Sequence, residues 1–203
     1  MSLLKKRQEE FKTRLIAEVA YDLFVHRPLE MVTVEDIARK VGCGKGTLYK
    51  YFRNKEHILT YLVLQGLGEL CEDIKQKCVN NTDIIQALRS YITLQFYFYL
   101  DYNQIFSSWQ RCRLDNRIEP EWEKEVNDKF EEKMKMAETI LNNGIRKKLI
   151  LAFNSYELAR LLETVFRDLT LSPLGTREKV SNPESTLEML TTILTRGLLR
   201  EKK

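Results

Sequence analysis

The sequence predicts an all-α protein: a three-helix helix-turn-helix segment at the N-terminal end, then a larger helical body. Three observations carry this. Apolar residues recur at helical spacing along nearly the whole chain, and almost nothing alternates with period two. Glycine and proline are scarce, at eight and four in 203 residues, which argues against both disorder and a turn-rich β fold. Charge is uneven: residues 1–55 hold twelve Lys/Arg and seven Asp/Glu, a net of +5, in a chain whose formal total is +4. A basic segment on a near-neutral body is suited to meeting a polyanion.

Taken in order, the first helix is expected over Glu9–Val25, with Phe11, Leu15, Val19, Leu23 and Phe24 on one stripe. It stops near Pro28, whose ring disfavours continuation. Thr33 is the expected N-cap of a short second helix, with Asp36 three residues on in a variant capping box. Val34, Ile37, Ala38 and Val41 form its inner side, and Gly42 ends it in a left-handed conformation. A third helix runs from Lys45 to about Phe52, with Leu48 and Phe52 directed into a core. A long fourth helix follows the Asn54 cap and carries Ile58, Leu59, Leu62, Leu67, Leu70 and Ile74. Its length suits a link between two bodies, and the domains are drawn as 1–55 and 56–203.

Further helices are expected over Asp83–Leu100, Asn103–Leu114 and Glu121–Leu141, the last ending at Asn142-Asn143-Gly144. Another begins at Asn154, with Glu157 at the capping-box position, and runs to about Leu169. LSPLGTREKVS reads as a loop, and Asn182-Pro183 starts a last helix reaching about Leu199.

The run GCGKGTLYKYFRNKE, residues 42–56, admits two readings. A phosphate-binding P-loop needs a GK followed by Ser or Thr after a buried strand. Here Lys45 precedes a glycine, the preceding segment is helical, and no downstream strand offers a metal-binding aspartate. Two short helices joined by a tight glycine-containing turn fit a helix-turn-helix instead, with the second helix directed at a major groove. Packed surface helices with solvated lysines are the plainer alternative; the basic segment and the tight turn together favour nucleic acid.

The stretch TVEDIARKVGCGKGTLYKYFRNKEHIL, Thr33 to Leu59, closely resembles the TetR family of transcriptional regulators. Asp36, Ile37, Ala38, Gly42, Gly46, Thr47, Tyr49, Tyr51, Phe52, Lys55 and Glu56 fall on the family's recurring positions. The resemblance implies that Thr33, Tyr49, Tyr51 and Lys55 meet DNA phosphates, while Lys45, Gly46, Thr47 and Lys50 lie on or beside the base-reading surface. It also implies a larger domain that binds a small effector and forms a homodimer through its last two helices. Two departures stand out. Pro28 and Leu29 replace the usual glycine and aromatic after the first helix, and Gly44 replaces a Ser or Thr cap.

The sequence adds its own support for that larger domain. Leu158, Leu162, Val165 and Leu169 form one stripe, and Leu187, Leu190, Leu194 and Leu198 another, which would fit a four-helix interface between subunits. The run YITLQFYFYLDYNQIFSSW is unusually aromatic. Gln95, Phe96, Tyr99, Tyr102, Phe106 and Trp109, closed by Phe130, Met134 and Tyr156, are the candidate lining of an effector pocket. Arg89 and Arg111 could meet an anionic group.

No nucleophile–base pair or metal-ligand spacing stands out, so the expectation is a regulator rather than an enzyme, with no cofactor and no metal. Cys43, Cys71, Cys78 and Cys112 have no CxxC spacing and read as free thiols. No apolar run approaches the ~18–20 residues of a membrane span, and no secretory segment opens the sequence, so the cytoplasm is the expected compartment. The expected partners are palindromic operator DNA, a small apolar or amphipathic effector and a second copy of the chain. The alternative is a ligand-independent DNA-binding protein that acts with a protein partner.

Overall fold

The computed structural model describes residues 3–171 and 182–199. Among these the chain is all helical: α1 Leu3–His26, α2 Val34–Val41, α3 Lys45–Leu48, α4 Lys55–Ile74, α5 Ile84–Asp101, α6 Asn103–Leu114, α7 Pro120–Arg146, α8 Ser155–Leu171 and α9 Pro183–Leu198. A 3₁₀ turn at Leu29–Met31 and a π turn at Lys75–Val79 punctuate it. The loop expected over 171–181 and the Leu169 side chain fall outside the described residues, save that Leu171 closes α8. No helix of the described residues is long and apolar enough to cross a membrane.

Local signals act where expected. Thr33 and Asp36 form a reciprocal capping box, the Asp36 N–H donating to Thr33 Oγ1 and the Thr33 N–H to Asp36 Oδ2, both at 3.1 Å. Gly42 is left-handed, with φ +77, and terminates α2. Asn54 Oδ1 accepts from the His57 N–H at 2.7 Å, Asp83 Oδ1 from Ile85 N–H at 3.0 Å, and Asn182 Oδ1 from Ser185 N–H at 3.0 Å. Other elements differ from the expectation. α1 begins at Leu3 rather than Glu9, and α3 is a single turn whose chain then winds on through Phe52 N–H to Leu48 O at 3.1 Å.

The chain forms two compact units, one of Met1–Gln65 with Gln104–Val126 and one of Gly66–Asn103 with Asn127–Lys203. The first reaches past Lys55 and takes in a segment distant in sequence. Ile58 and Leu59 are fully buried in it, the Trp109 Nε1–H donates to Thr60 Oγ1 at 3.1 Å, and Arg117 pairs with Glu56. These long-range contacts leave no mark in local periodicity. In the second unit, α5 packs against α8 and α9 around Leu88, Ile92, Phe96 and Phe166.

α7 does not end at Asn142-Asn143-Gly144; it continues to Arg146. Gly144 serves a different purpose from a stop. A Cβ there would lie 2.4 Å from Ile150 Cδ1 and 2.9 Å from Ile84 Cγ2, so its bare surface lets two side chains lie against the helix. The α8 and α9 stripes are partly drawn inward. Leu158, Leu162, Leu190 and Leu198 are buried within the second unit, while Leu161, Met189 and Ile193 are the exposed apolar residues. A groove of about 450 Å³, lined by Phe153, Leu161, Leu162, Ile193 and Leu194 among others, opens on that face.

Gly144→Ala is expected to lower unfolding stability by about 1–3 kcal/mol through overpacking. Gly68→Ala, where a Cβ would meet nothing within 4 Å, should raise it by about 0.5–1 kcal/mol through helix propensity. Urea denaturation of the two variants beside the parent chain measures both.

Candidate nucleic-acid surface and a buried polar cluster

The α2–α3 surface is built from both sides of the Gly42 turn. Leu48 and Phe52 point inward and are buried, whereas Lys45, Tyr49 and Lys50 are exposed and Thr47 and Tyr51 half-buried. Thr33, also exposed, opens α2. Added Cβ atoms at Gly44 and Gly46 would meet nothing within 4 Å, so the start of α3 is open to a large ligand. Lys45 is engaged by Glu35 and sits 5.8 Å from the centroid of the Tyr49 ring. The hydrogen bond from Lys45 holds the Glu35 carboxyl below the usual carboxylate range, and the same bond raises Lys45.

Lys55 is placed differently from the other candidate contacts. Its ammonium donates to the carbonyls of Leu29 and Val32, at 2.8 and 3.1 Å. This shows how the unusual Pro28-Leu29 bend is made: the 3₁₀ turn leaves carbonyls that a half-buried lysine from α4 satisfies. The underside of α3 rests on an aromatic platform. Phe52 meets His57 and Tyr61 edge-on, with centroids 5.3 and 5.5 Å apart, and His57 stacks on Trp122 at 4.4 Å and 13°. Arg53 lies 5.9 Å from the Trp122 centroid and pairs with Glu119 at 2.9 Å.

The effector candidates divide between the units. Phe106 and Trp109 are buried in the first, where the Trp109 indole hydrogen bond to Thr60 ties them into its core. In the second, Gln95, Phe96 and Tyr99 are buried, Phe130 and Met134 half-buried, and Tyr156 is 49% exposed beneath Arg160. Tyr102 stacks on Phe98 at 5.1 Å and leans so close to α4 that only a glycine fits at Gly66, where a Cβ would come 2.5 Å from the ring. Arg89 and Arg111 are both exposed, Arg111 donating to Ser108 at 3.1 Å.

Around Gln95 and Tyr99 the structure gathers residues that the sequence reading missed. Lys133, fully buried on α7, donates to Glu163 at 2.8 and 2.9 Å and to Gln95 Oε1 and Tyr99 Oη at 3.3 Å. The Tyr99 hydroxyl in turn donates to Glu163. Tyr91 Oη and Gln95 Nε2 are buried without a hydrogen-bond partner. Burial, and next the Glu163 carboxylate, push the Tyr91 and Tyr99 phenols upward. Removing one member of such an ion pair costs about 3–5 kcal/mol, because the other charge is left buried alone. A lysine among exposed-looking charges in EEKMKM carried one usable signal: it lies at helical spacing from Phe130 and Ala137 rather than on the polar face.

Cys71, Cys78 and Cys112 are free and buried, and burial raises their thiols, Cys78 to about 11. Among the described residues no group of three or more His, Cys, Asp or Glu is placed to hold a metal ion.

Fold and surface together define a helix-turn-helix protein with a separate helical body. Residues 16–62 match the family described as bacterial regulatory proteins, tetR family, so this N-terminal segment is similar to that family. An HTH-type transcriptional regulator of Staphylococcus aureus strain USA300 is 30% identical over 96 residues, which cover 46% of this chain and 51% of that protein. The match thus spans about half the length of the curated relative. Among solved structures, the TetR family regulator PfmR of Thermus thermophilus superposes with a TM-score of 0.76 at 20% identity, covering 91% of this chain and 99% of that one. The transcriptional regulator FadR of Bacillus subtilis, solved with stearoyl-CoA, gives 0.74 at 17%, covering 91% and 98%. At these identities the likeness is one of fold.

Burial, then Arg53, depress His57 below its usual 6.5. The fold therefore favours the neutral ring: His57 contributes stability above about pH 6.5, and this is lost as pH falls through the depressed value. Thermal unfolding at pH 7 and pH 5 is expected to show a larger drop for the parent chain than for His57→Phe, which keeps a ring on Trp122 and cannot titrate.

Proposed function

We propose that the chain is a ligand-responsive transcriptional repressor that binds palindromic operator DNA as a homodimer and leaves it when a small apolar or amphipathic effector binds. The exposed α2–α3 surface carries this reading. Thr33, Tyr49 and Tyr51 are suited to phosphates, which set register, while Lys45, Gly46, Thr47 and Lys50 are suited to base edges, which give selectivity. Lys55 serves phosphates only through whichever of its N–H groups the Leu29 and Val32 carbonyls leave over. Lys45 must leave Glu35 to reach DNA, so a surface ion pair is exchanged for a phosphate or base contact.

Two subunits would set their α3 helices in successive major grooves, about 34–36 Å apart. The exposed Leu161, Met189 and Ile193, around the groove on α8 and α9, are the face suited to a second copy. An effector held in the helical body would weaken DNA binding only if it binds the two conformations unequally. The stearoyl-CoA complex of the Bacillus subtilis protein supports an effector with an apolar or acyl portion.

In a gel-shift titration with DNA from upstream of its own gene, a discrete complex that resists excess random duplex is expected. Tyr49→Ala should lose it, and Lys50→Ala should weaken it by about 1–3 kcal/mol and relax its preference at the base that Lys50 reads. Weak binding, equal on random DNA, would refute the reading. Ile193→Asp is expected to shift the protein from dimer to monomer by light scattering, with its helical circular dichroism retained.

A further inference from the structure

Resting on the reading that the helical body holds an effector, we infer that Lys133 is the receptor for the carboxylate of an apolar carboxylic acid, and that Glu163 holds that place in the free protein. Three observations within the second unit converge on this.

The first is the enclosure of Lys133. Its ammonium has no solvent exposure and lies 4.9, 5.0 and 5.9 Å from the ring centroids of Phe130, Tyr99 and Phe98. A cation so enclosed requires an anion against it, and its neighbours are otherwise suited to an apolar chain or ring.

The second is the unmet polar groups. Tyr91 and Gln95 lie one turn apart on α5; Tyr91 Oη and Gln95 Nε2 are buried without a well-formed hydrogen bond, the Gln95 side chain being near enough to act on the Tyr91 phenol. Gln95 already offers its carbonyl to Lys133, so its amide nitrogen belongs to the same cluster. Both orphans have hydrogens to donate, and Glu163 does not use them: its oxygens accept from Lys133 and Tyr99. A carboxylate has about four acceptor sites. One oxygen on Lys133 and the other on Gln95 and Tyr91 would satisfy every donor of the cluster.

The third is a way out for Glu163. It is the outer member of the pair, with a side chain 13% exposed against zero for Lys133. On the same helix Arg167 stands four residues further on, in the favourable Glu-to-Arg order, and pairs with Asp168 at 3.4 Å, so Glu163 would share it with that carboxylate. Glu163 swinging to Arg167 leaves Lys133 one carboxylate before and after, so charge is conserved. The groove of about 210 Å³ beside Phe98 bears Glu69, Asp73 and Asp101, carboxylates that disfavour entry of an acid from that side. A neutral carbonyl compound would fill the orphan donors without moving Glu163, so acid and neutral analogue separate the two possibilities.

The test uses the full chain without DNA, titrated calorimetrically with decanoic acid and 3-phenylpropionic acid, each beside its primary amide, and with decanoyl-CoA. At least one acid should bind, about tenfold or more tighter than its amide. Glu163→Gln, which removes the internal rival, should tighten the acid about fivefold or more. Lys133→Met with Glu163→Gln, which leaves no lone charge, should abolish acid binding with helical circular dichroism unchanged. The inference is overturned if no acid binds either the parent chain or Glu163→Gln, if amide or thioester binds as well as acid, or if the double variant still binds. None of these readouts contains DNA, so their failure leaves the regulator reading standing. Acid binding in a protein that ignores its upstream DNA would sink the regulator reading alone.

Discussion

The short helix α3 cannot stand by itself. Four residues form one turn, and an isolated turn fixes more backbone freedom than a single hydrogen bond returns. Its geometry is imposed from beneath, by the buried Leu48, by Phe52 set against His57 and Tyr61 of α4, by the His57–Trp122 stack under Phe52, and by the Gly42 turn behind it. Because the inner face supplies all the support, Tyr49 and Lys50 on the outer face are left with no structural duty. Lys55 belongs to this support rather than to the open surface, since it closes the bend between α1 and α2.

The second unit rests on the opposite kind of contact. An apolar interior would be stabilised equally well by well-packed hydrophobic residues, yet this one encloses Lys133, Glu163, Gln95 and two tyrosines. Desolvating an ammonium costs several kcal/mol before any pairing offsets it. Two polar atoms remain unsatisfied even so, each a further cost of about 1–3 kcal/mol. A packing role alone accounts for neither orphan, because a leucine and a phenylalanine would fill the same space without them.

Local chemistry was legible throughout. The Thr33 and Asp36 box, the left-handed Gly42, the Asn54, Asp83, Asn154 and Asn182 caps and the bounds of Asn103–Leu114 follow from residues within a few positions of one another. Where a residue's partner lies far along the chain, the reading went astray. Gly144 looked like a terminator and is a contact surface for Ile150 and Ile84. The leucine stripes of α8 and α9 serve two sides at once: Leu158, Leu162, Leu190 and Leu198 are buried in the second unit, while Leu158, Leu162, Leu194 and Leu198 also line the open groove beside Leu161 and Ile193. Helical periodicity marks which face is apolar, not what will cover it.

The sequence by itself therefore determined the all-helical class, the helix-turn-helix and the outward residues of its second helix, because capping, turn chemistry and hydrophobic spacing are local. Only the tertiary structure decided that residues 104–126 complete the N-terminal unit and that Lys133 is buried against Glu163, Gln95 and Tyr99. The physical reason is common to both. A charge or an indole in a sequence reads as soluble or apolar according to its type, whereas its partner is chosen by packing between segments 30 to 61 residues apart.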